Sequence, residues 1–89
     1  MHRDIDLIIE RLTADIPTIH IDQLKVAHPG ADDDGLWFIH VPGQENEVQL
    51  ESTCGSCPFL IESDFSDERF HAYNVEEAVR TVKRLYGLA

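Results

Sequence analysis

Basic residues are scarce in this chain. Its 89 residues include 7 Lys and Arg against 17 Asp and Glu, which gives a formal net charge of −10. Proteins that bind nucleic acids or anionic membranes through surface charge need clustered Lys and Arg to contact phosphate groups. The composition therefore argues against nucleic acid and against a membrane surface as partners.

Cysteines and long apolar runs are scarce as well. Two cysteines are too few for the disulfide scaffold of a small secreted domain. The longest apolar runs, such as residues 36–39, fall far short of the ~18 apolar residues of a transmembrane helix. Asp4 and Asp6 stand where a signal peptide carries basic and then apolar residues. We therefore expect a cytoplasmic location and, at 10.1 kDa, one domain over residues 1–89.

Two segments have the periodicity of amphipathic helices. Apolar residues recur at helical spacing in residues 4–14 and again in residues 75–86. Asn74 and Glu77 have the spacing of a capping box, and Gly87 is typical of a helix end. The residues predicted to line the buried helix faces are Ile5, Ile8, Ile9, Leu12, Val79, Val82, Leu85 and Tyr86.

The segments between the two helices are rich in β-branched and alternating apolar residues. They predict strands at residues 18–26, 36–41, 47–52 and 59–63. The first strand switches its inward parity near Asp22 and Gln23, which predicts a β-bulge. Residues 64–73 are interpreted as a loop, with a short fifth strand at residues 70–73 as the alternative. The predicted fold is α+β, a four-stranded antiparallel meander with both helices packed on one face.

The order of helix, strands and helix resembles that of double-stranded-RNA-binding domains. The last helix of that family begins with basic residues that contact phosphates. Glu76 and Glu77 occupy the corresponding place here. The resemblance is therefore one of topology alone, and it does not imply RNA binding.

Acidic residues are concentrated in the predicted sheet. Residues 31–70 hold ten acidic residues and one basic residue, Arg69, a net charge of −9. One interpretation is a solvated surface that keeps the protein soluble. The other is a docking face for a basic protein, with an exposed aromatic residue as its energetic centre, because Trp37 and Phe38 are adjacent and must face opposite sides of the sheet. The predicted partner-binding residues are Asp32, Asp33, Asp34, Trp37, Glu45, Glu47, Glu51 and Glu62.

Cys54 and Cys57 form the one motif with possible chemistry. Their C-x-x-C spacing occurs in redox sites and in zinc sites, but a redox site needs a helix after the first cysteine, and a zinc site needs two further ligands. Residues 58–61 are instead typical of a strand. We favour a hairpin in which Gly55 and Ser56 form a type II′ turn, with the two cysteines opposite each other as thiols.

No catalytic motif or cofactor fingerprint is present in the sequence, so catalysis is the less favoured interpretation and no cofactor is expected. The favoured function is a small non-catalytic interaction domain, an adaptor or an immunity-like inhibitor, that binds a basic protein through its sheet face. The first alternative is a metal- or redox-responsive protein that uses Cys54 and Cys57. The second is a ligand-binding domain or enzyme with a pocket between residues 64–73 and the sheet.

Overall fold

The computed structural model describes residues 3–23, 35–52 and 55–88. They form an α+β fold in which two helices flank a five-stranded antiparallel sheet in sequence. The elements in chain order are α1 (Asp4–Asp15), β1 (His20–Gln23), β2 (Leu36–His40), β3 (Glu47–Glu51), β4 (Phe59–Ser63), β5 (Ser66–Ala72) and α2 (Val75–Leu85). The strands lie side by side in sequence order. The predicted α+β class is confirmed, and the sheet has one strand more than predicted.

Strand β5 occupies most of the segment that was predicted to be a loop. It pairs with β4, and Phe70 lies opposite Ile61. Within β5, Ala72 is buried and Phe70 is half-buried, whereas the other side chains are exposed. Edge strands tolerate such polar sequences because only one side of the strand is paired. The segment therefore lacks the clean apolar alternation that identifies a strand in a sequence.

Strand β1 pairs with β2 without a shift in register. The pairing runs from His20 opposite His40 to Gln23 opposite Trp37. The predicted bulge is therefore absent as far as Gln23, and residues 24–26 of the predicted strand lie outside the described residues. The register of the sheet shifts instead at Ser63, where β4 meets β5.

The core lies between the two helices and one face of the sheet. Of the helix residues predicted to be buried, Ile9 and Leu85 are half-buried and the others are fully buried. The sheet residues that are buried against them are Trp37, Ile39, Val48, Leu50, Phe59, Ile61 and Ala72. The helices therefore cover one face of the sheet, as predicted. Within the described residues, no helix is long and apolar enough to cross a membrane.

Helix α2 begins and ends where the sequence predicts. The side chain of Asn74 accepts a hydrogen bond from the backbone N–H of Glu77 at 2.8 Å. Gly87 has a φ of 72°, and its N–H donates to the carbonyl of Arg84 at 3.0 Å. Glycine adopts this left-handed conformation without steric cost, so it ends the helix.

A polar network joins the sheet to the end of α2. The amide nitrogen of Asn46, which is buried, donates to the carbonyl of Leu85 at 3.1 Å. The hydroxyl of Ser63 donates to the side-chain oxygen of the same asparagine. The hydroxyl of Tyr86 donates to the carbonyl of Ile39 at 2.9 Å, and burial raises the pKa of Tyr86 to about 12. These bonds satisfy buried polar groups that would otherwise destabilise the fold.

The two helices run parallel to each other. Arg11 of α1 forms an ion pair with Glu76, near the start of α2. Asp15, farther along α1, pairs with Lys83, near the end of α2, at 3.2 Å. The pairs follow the same order along both helices. The strands at the two edges of the sheet, β1 and β5, also run in the same direction, because the sheet has an odd number of antiparallel strands.

Candidate functional site

The sheet face opposite the helices carries polar and apolar side chains in three rows across the strands, and we call it the open face. The rows follow from the strand register, and none of their residues is buried. The first row is His20, His40 and Glu47; the second is Asp22, Phe38, Gln49, Glu62 and Arg69; the third is Leu36, Glu51, Leu60 and His71.

Three of the predicted partner-binding acids lie together on the open face. Glu47 and Glu51 come from β3, and Glu62 comes from β4. Glu45 is exposed in the loop that precedes β3. The run at residues 32–34 (Asp32, Asp33 and Asp34) lies outside the described residues. The structure therefore brings three of these acids onto one surface, with the fourth in an adjoining loop.

Trp37 lies on the opposite side of the sheet from these acids. It is 3% exposed and packs edge-on against Phe59, with ring centroids 6.4 Å apart. The prediction that Trp37 is an exposed partner-binding residue is therefore wrong. Phe38, the next residue, lies on the open face and is half-buried. The strand register explains why Trp37 faces the core and Phe38 does not, since Trp37 pairs with the core residue Leu50.

Charges on the open face are only partly compensated. Glu62 lies 3.8 Å from Arg69, measured between the carboxylate oxygen and Nε, in an exposed ion pair. Within the described residues, no Lys or Arg forms an ion pair with Asp22, Glu47 or Glu51. These carboxylates surround Phe38, because Asp22 is directly opposite it and the two glutamates are its diagonal neighbours on β3. Within the part of the chain that the structure describes, the open face thus combines a half-buried aromatic ring with carboxylates that form no ion pair with Lys or Arg.

Cys57 is in the loop between β3 and β4, where the chain packs on the start of α1. Its backbone N–H donates to the carboxylate of Asp4 at 2.8 Å. The carbonyl of Gly55 accepts from the N–H of Ile5 at 2.9 Å. Strand β3 ends at Glu51 and strand β4 begins at Phe59, so the two strands are not joined by the predicted two-residue turn. Cys54 lies outside the described residues, and its geometry relative to Cys57 is not described.

The environment of Cys57 keeps its thiol protonated at neutral pH. Burial, together with the carboxylates of Asp4 and Glu77, raises the pKa of the Cys57 thiol to about 11. Reactive cysteines in redox sites have the opposite property, a lowered pKa that supplies the thiolate. Among the described residues, no group of three or more His, Cys, Asp or Glu side chains is placed to hold a metal ion. Cys57 therefore lacks the lowered pKa of a reactive cysteine, and the redox or metal alternative, which also needs Cys54, stays a prediction.

The predicted loop at residues 64–73, on which the proposed pocket depends, is corrected. Most of that segment is β5, and hydrogen bonds join it to the edge of β4. It extends the sheet, whereas a pocket would require a loop folded over the sheet face. Phe65 is 68% exposed in the tight turn before β5.

Several open-face residues were not among the predicted site residues. Asp22, His20 and His40 share this surface with the acids of β3. The sequence pattern could have identified His20 and Asp22. They alternate with the apolar residues Ile19 and Ile21, so their side chains must point to the opposite face of the strand. The position of His40 could be found only from its pairing with β3.

Comparisons of the chain with protein-family models, with curated proteins and with solved structures find no match.

Proposed function

We propose that this protein is a small interaction domain that binds a basic protein partner through its open face. One observation carries the proposal: Phe38 lies among Asp22, Glu47 and Glu51, and these carboxylates have no Lys or Arg partner within the described residues. The partner is a segment or surface rich in arginine and lysine.

The arrangement around Phe38 suits a cationic side chain. Directly opposed residues in a sheet have Cβ atoms about 5 Å apart, and diagonal neighbours about 7–8 Å. A guanidinium group that lies on the ring of Phe38 therefore reaches a carboxylate at the same time. A cation on an aromatic face contributes about 0.5–2 kcal/mol, more when the pair is desolvated.

The apolar side chains nearby supply a second contribution. Leu36 and Leu60 flank Glu51 in the third row, and both are half-buried. Interfaces gain most of their affinity from a few central apolar or aromatic anchors, while charged residues at the rim mainly speed association. Phe38 is the anchor in this proposal, and the surrounding acids attract and orient the partner.

The first experiment uses a defined probe, a short peptide of alternating arginine and serine, and ¹⁵N-labelled protein. We expect its addition to shift the backbone amide signals of β2 and β3 and to leave those of α1 and α2 in place. If the amide signals of the helices shifted at lower peptide concentrations than those of β2 and β3, the result would contradict the proposal.

Two charge-matched variants separate a local site from simple net charge. The open-face variant carries Asp22→Asn, Glu47→Gln and Glu51→Gln, and the control carries Glu10→Gln, Asp67→Asn and Glu68→Gln. Both remove three acids, but the control acids are exposed on α1 and on edge strand β5. We expect the open-face variant to weaken peptide binding about tenfold, ~1.4 kcal/mol, and the control to change it much less. Equal losses in both variants would show that only net charge matters.

A third variant tests the anchor. Phe38→Ala should raise the dissociation rate about 30-fold, which corresponds to the ~2 kcal/mol of an interface hot spot. Because Phe38 is outside the core, the variant should keep the fold, and circular dichroism checks this. A folded Phe38→Ala protein that binds as tightly as the wild type would remove the basis of the proposal. Capture of a basic protein from cells counts in its favour only if these variants discriminate in the same way.

A further inference from the structure

Two histidines face each other across strands β1 and β2 on the open face. His20 and His40 are directly opposed in the register, and both are exposed. Their rings are stacked, with centroids 6.4 Å apart and planes inclined by 26°. Every histidine among the described residues, His20, His40 and His71, lies on this face. Within that part of the chain, protonation of imidazole therefore changes the charge of the open face and not that of the helix side.

The pair lies next to the aromatic residue that we propose as the anchor. His40 and Phe38 are two residues apart on β2 and point to the same face, which places their Cα atoms about 7 Å apart. His20 has the same relation to Asp22 on β1. A positive charge on either ring therefore lies beside the place where a guanidinium group of the peptide would bind.

Carboxylates face the pair from both sides. Glu47 of β3 is directly opposite His40, and Asp22 of β1 is a diagonal neighbour of the same histidine. The loop that joins β2 to β3 adds Glu45, which is exposed. A protonated His40 can form an ion pair with Glu47, and that carboxylate is then no longer available to the peptide.

We propose that protonation of His20 and His40 weakens the binding of the basic partner to the open face as the pH falls from about 7.5 to about 5.5. This inference rests on the proposed function, because it concerns the same surface. Imidazole side chains take up a proton in this range, whereas arginine keeps its charge. The three carboxylates around Phe38 give a local charge of −3, which two protonated imidazoles reduce to −1.

The test measures the dissociation constant of the arginine–serine peptide by isothermal calorimetry at pH 7.5 and at pH 5.5, at constant ionic strength. The peptide is acetylated at its amino terminus, so that none of its groups titrates between these values. We expect the dissociation constant of the wild type to be about fivefold higher at the lower pH, because two of the three local negative charges are offset.

Two variants locate the effect. The first is the double variant His20→Gln/His40→Gln, and the control is His71→Gln. His71 is exposed on the same face, but β5 is three strands from β2, about 14 Å across the sheet, which exceeds the ~8 Å screening length at physiological salt. We expect the double variant to bind like the wild type at pH 7.5 and to change less than about twofold at pH 5.5, and the control to follow the wild type. All carboxylates are unchanged in both variants, as are His2 and His28, which lie outside the described residues.

The single variants His20→Gln and His40→Gln should each retain about half of the pH effect on a logarithmic scale, and circular dichroism checks the fold at both pH values. A wild type that binds equally well at both pH values, or a double variant that weakens as much as the wild type, would overturn the inference and leave the proposed function standing. Loss of the effect in His71→Gln would contradict its assignment to the stacked pair. A wild type that does not bind the peptide at pH 7.5 would overturn the proposed function, and this inference with it.

Discussion

Replacing Gly55 with alanine should destabilise the domain more than the same replacement at Gly87. Both glycines have left-handed backbone conformations, with φ of 74° and 72°. An alanine in this conformation costs about 1–2 kcal/mol at either position. The surroundings differ, because a Cβ at position 87 would meet no atom within 4 Å, whereas one at position 55 would lie 2.8 Å from Cγ2 of Ile5.

The contact at position 55 adds a second cost. Ile5 is fully buried in α1, and its Cγ2 is attached to Cβ, so the methyl group cannot move away without displacing the helix. Overpacking of this kind costs about 1–3 kcal/mol. We therefore expect Gly55→Ala to lower the free energy of unfolding by about 2–5 kcal/mol and Gly87→Ala by about 1–2 kcal/mol.

Urea unfolding followed by the fluorescence of the buried Trp37 measures both values. A double-mutant cycle identifies the cause, because Ile5→Leu moves the branch from Cβ to Cγ and removes the methyl group that meets position 55. Ile5→Leu should cost less in the Gly55→Ala background than in the wild type, with a coupling of at least about 0.5 kcal/mol. Equal costs for the two glycine variants, or additivity in the cycle, would refute the steric explanation.

Three further predictions concern buried polar groups. Asn46→Ala leaves the carbonyl of Leu85 without its donor and should lower the free energy of unfolding by about 1–3 kcal/mol, measured in urea. Tyr86→Phe removes the hydrogen bond to Ile39 and should cost about 1–2 kcal/mol; a change below measurement error would contradict the bond. The folded state raises the pKa of the Cys57 thiol to about 11. The contribution of this thiol to the free energy of unfolding is therefore fully present below its unfolded-state pKa of about 8.5 and is lost as the pH rises towards about 11. Urea unfolding at stepwise pH should show this loss, and Cys57→Ser should reduce it.

The helices could be predicted from the sequence because their signals are local. The spacing of Ile5, Ile8 and Leu12 defines one buried stripe, and Asn74 and Gly87 mark the limits of the second helix through bonds to their own neighbours. These interactions span only a few residues. The sequence therefore contains all of the information needed to place them.

The sheet was predicted less completely because its decisive contacts are between distant residues. Trp37 and Phe38 are both apolar, so β2 alone does not show which one faces the core. The pairing of Trp37 with Leu50 decides it. β5 is a strand because β4 supplies a partner for it, although its own residues are mostly polar. For the same reason, the grouping of acids around Phe38 follows from the register and not from any single segment.

The parallel helices have an electrostatic consequence. Each α-helix has a dipole whose amino-terminal end is positive and whose carboxyl-terminal end is negative, and neighbouring parallel dipoles repel each other where antiparallel ones attract. The charged side chains oppose this repulsion. Acidic residues occupy the first turn of both helices, and Lys83 and Arg84 occupy the last turn of α2. The charges at the helix ends thus offset a repulsion that a pair of antiparallel helices would not have.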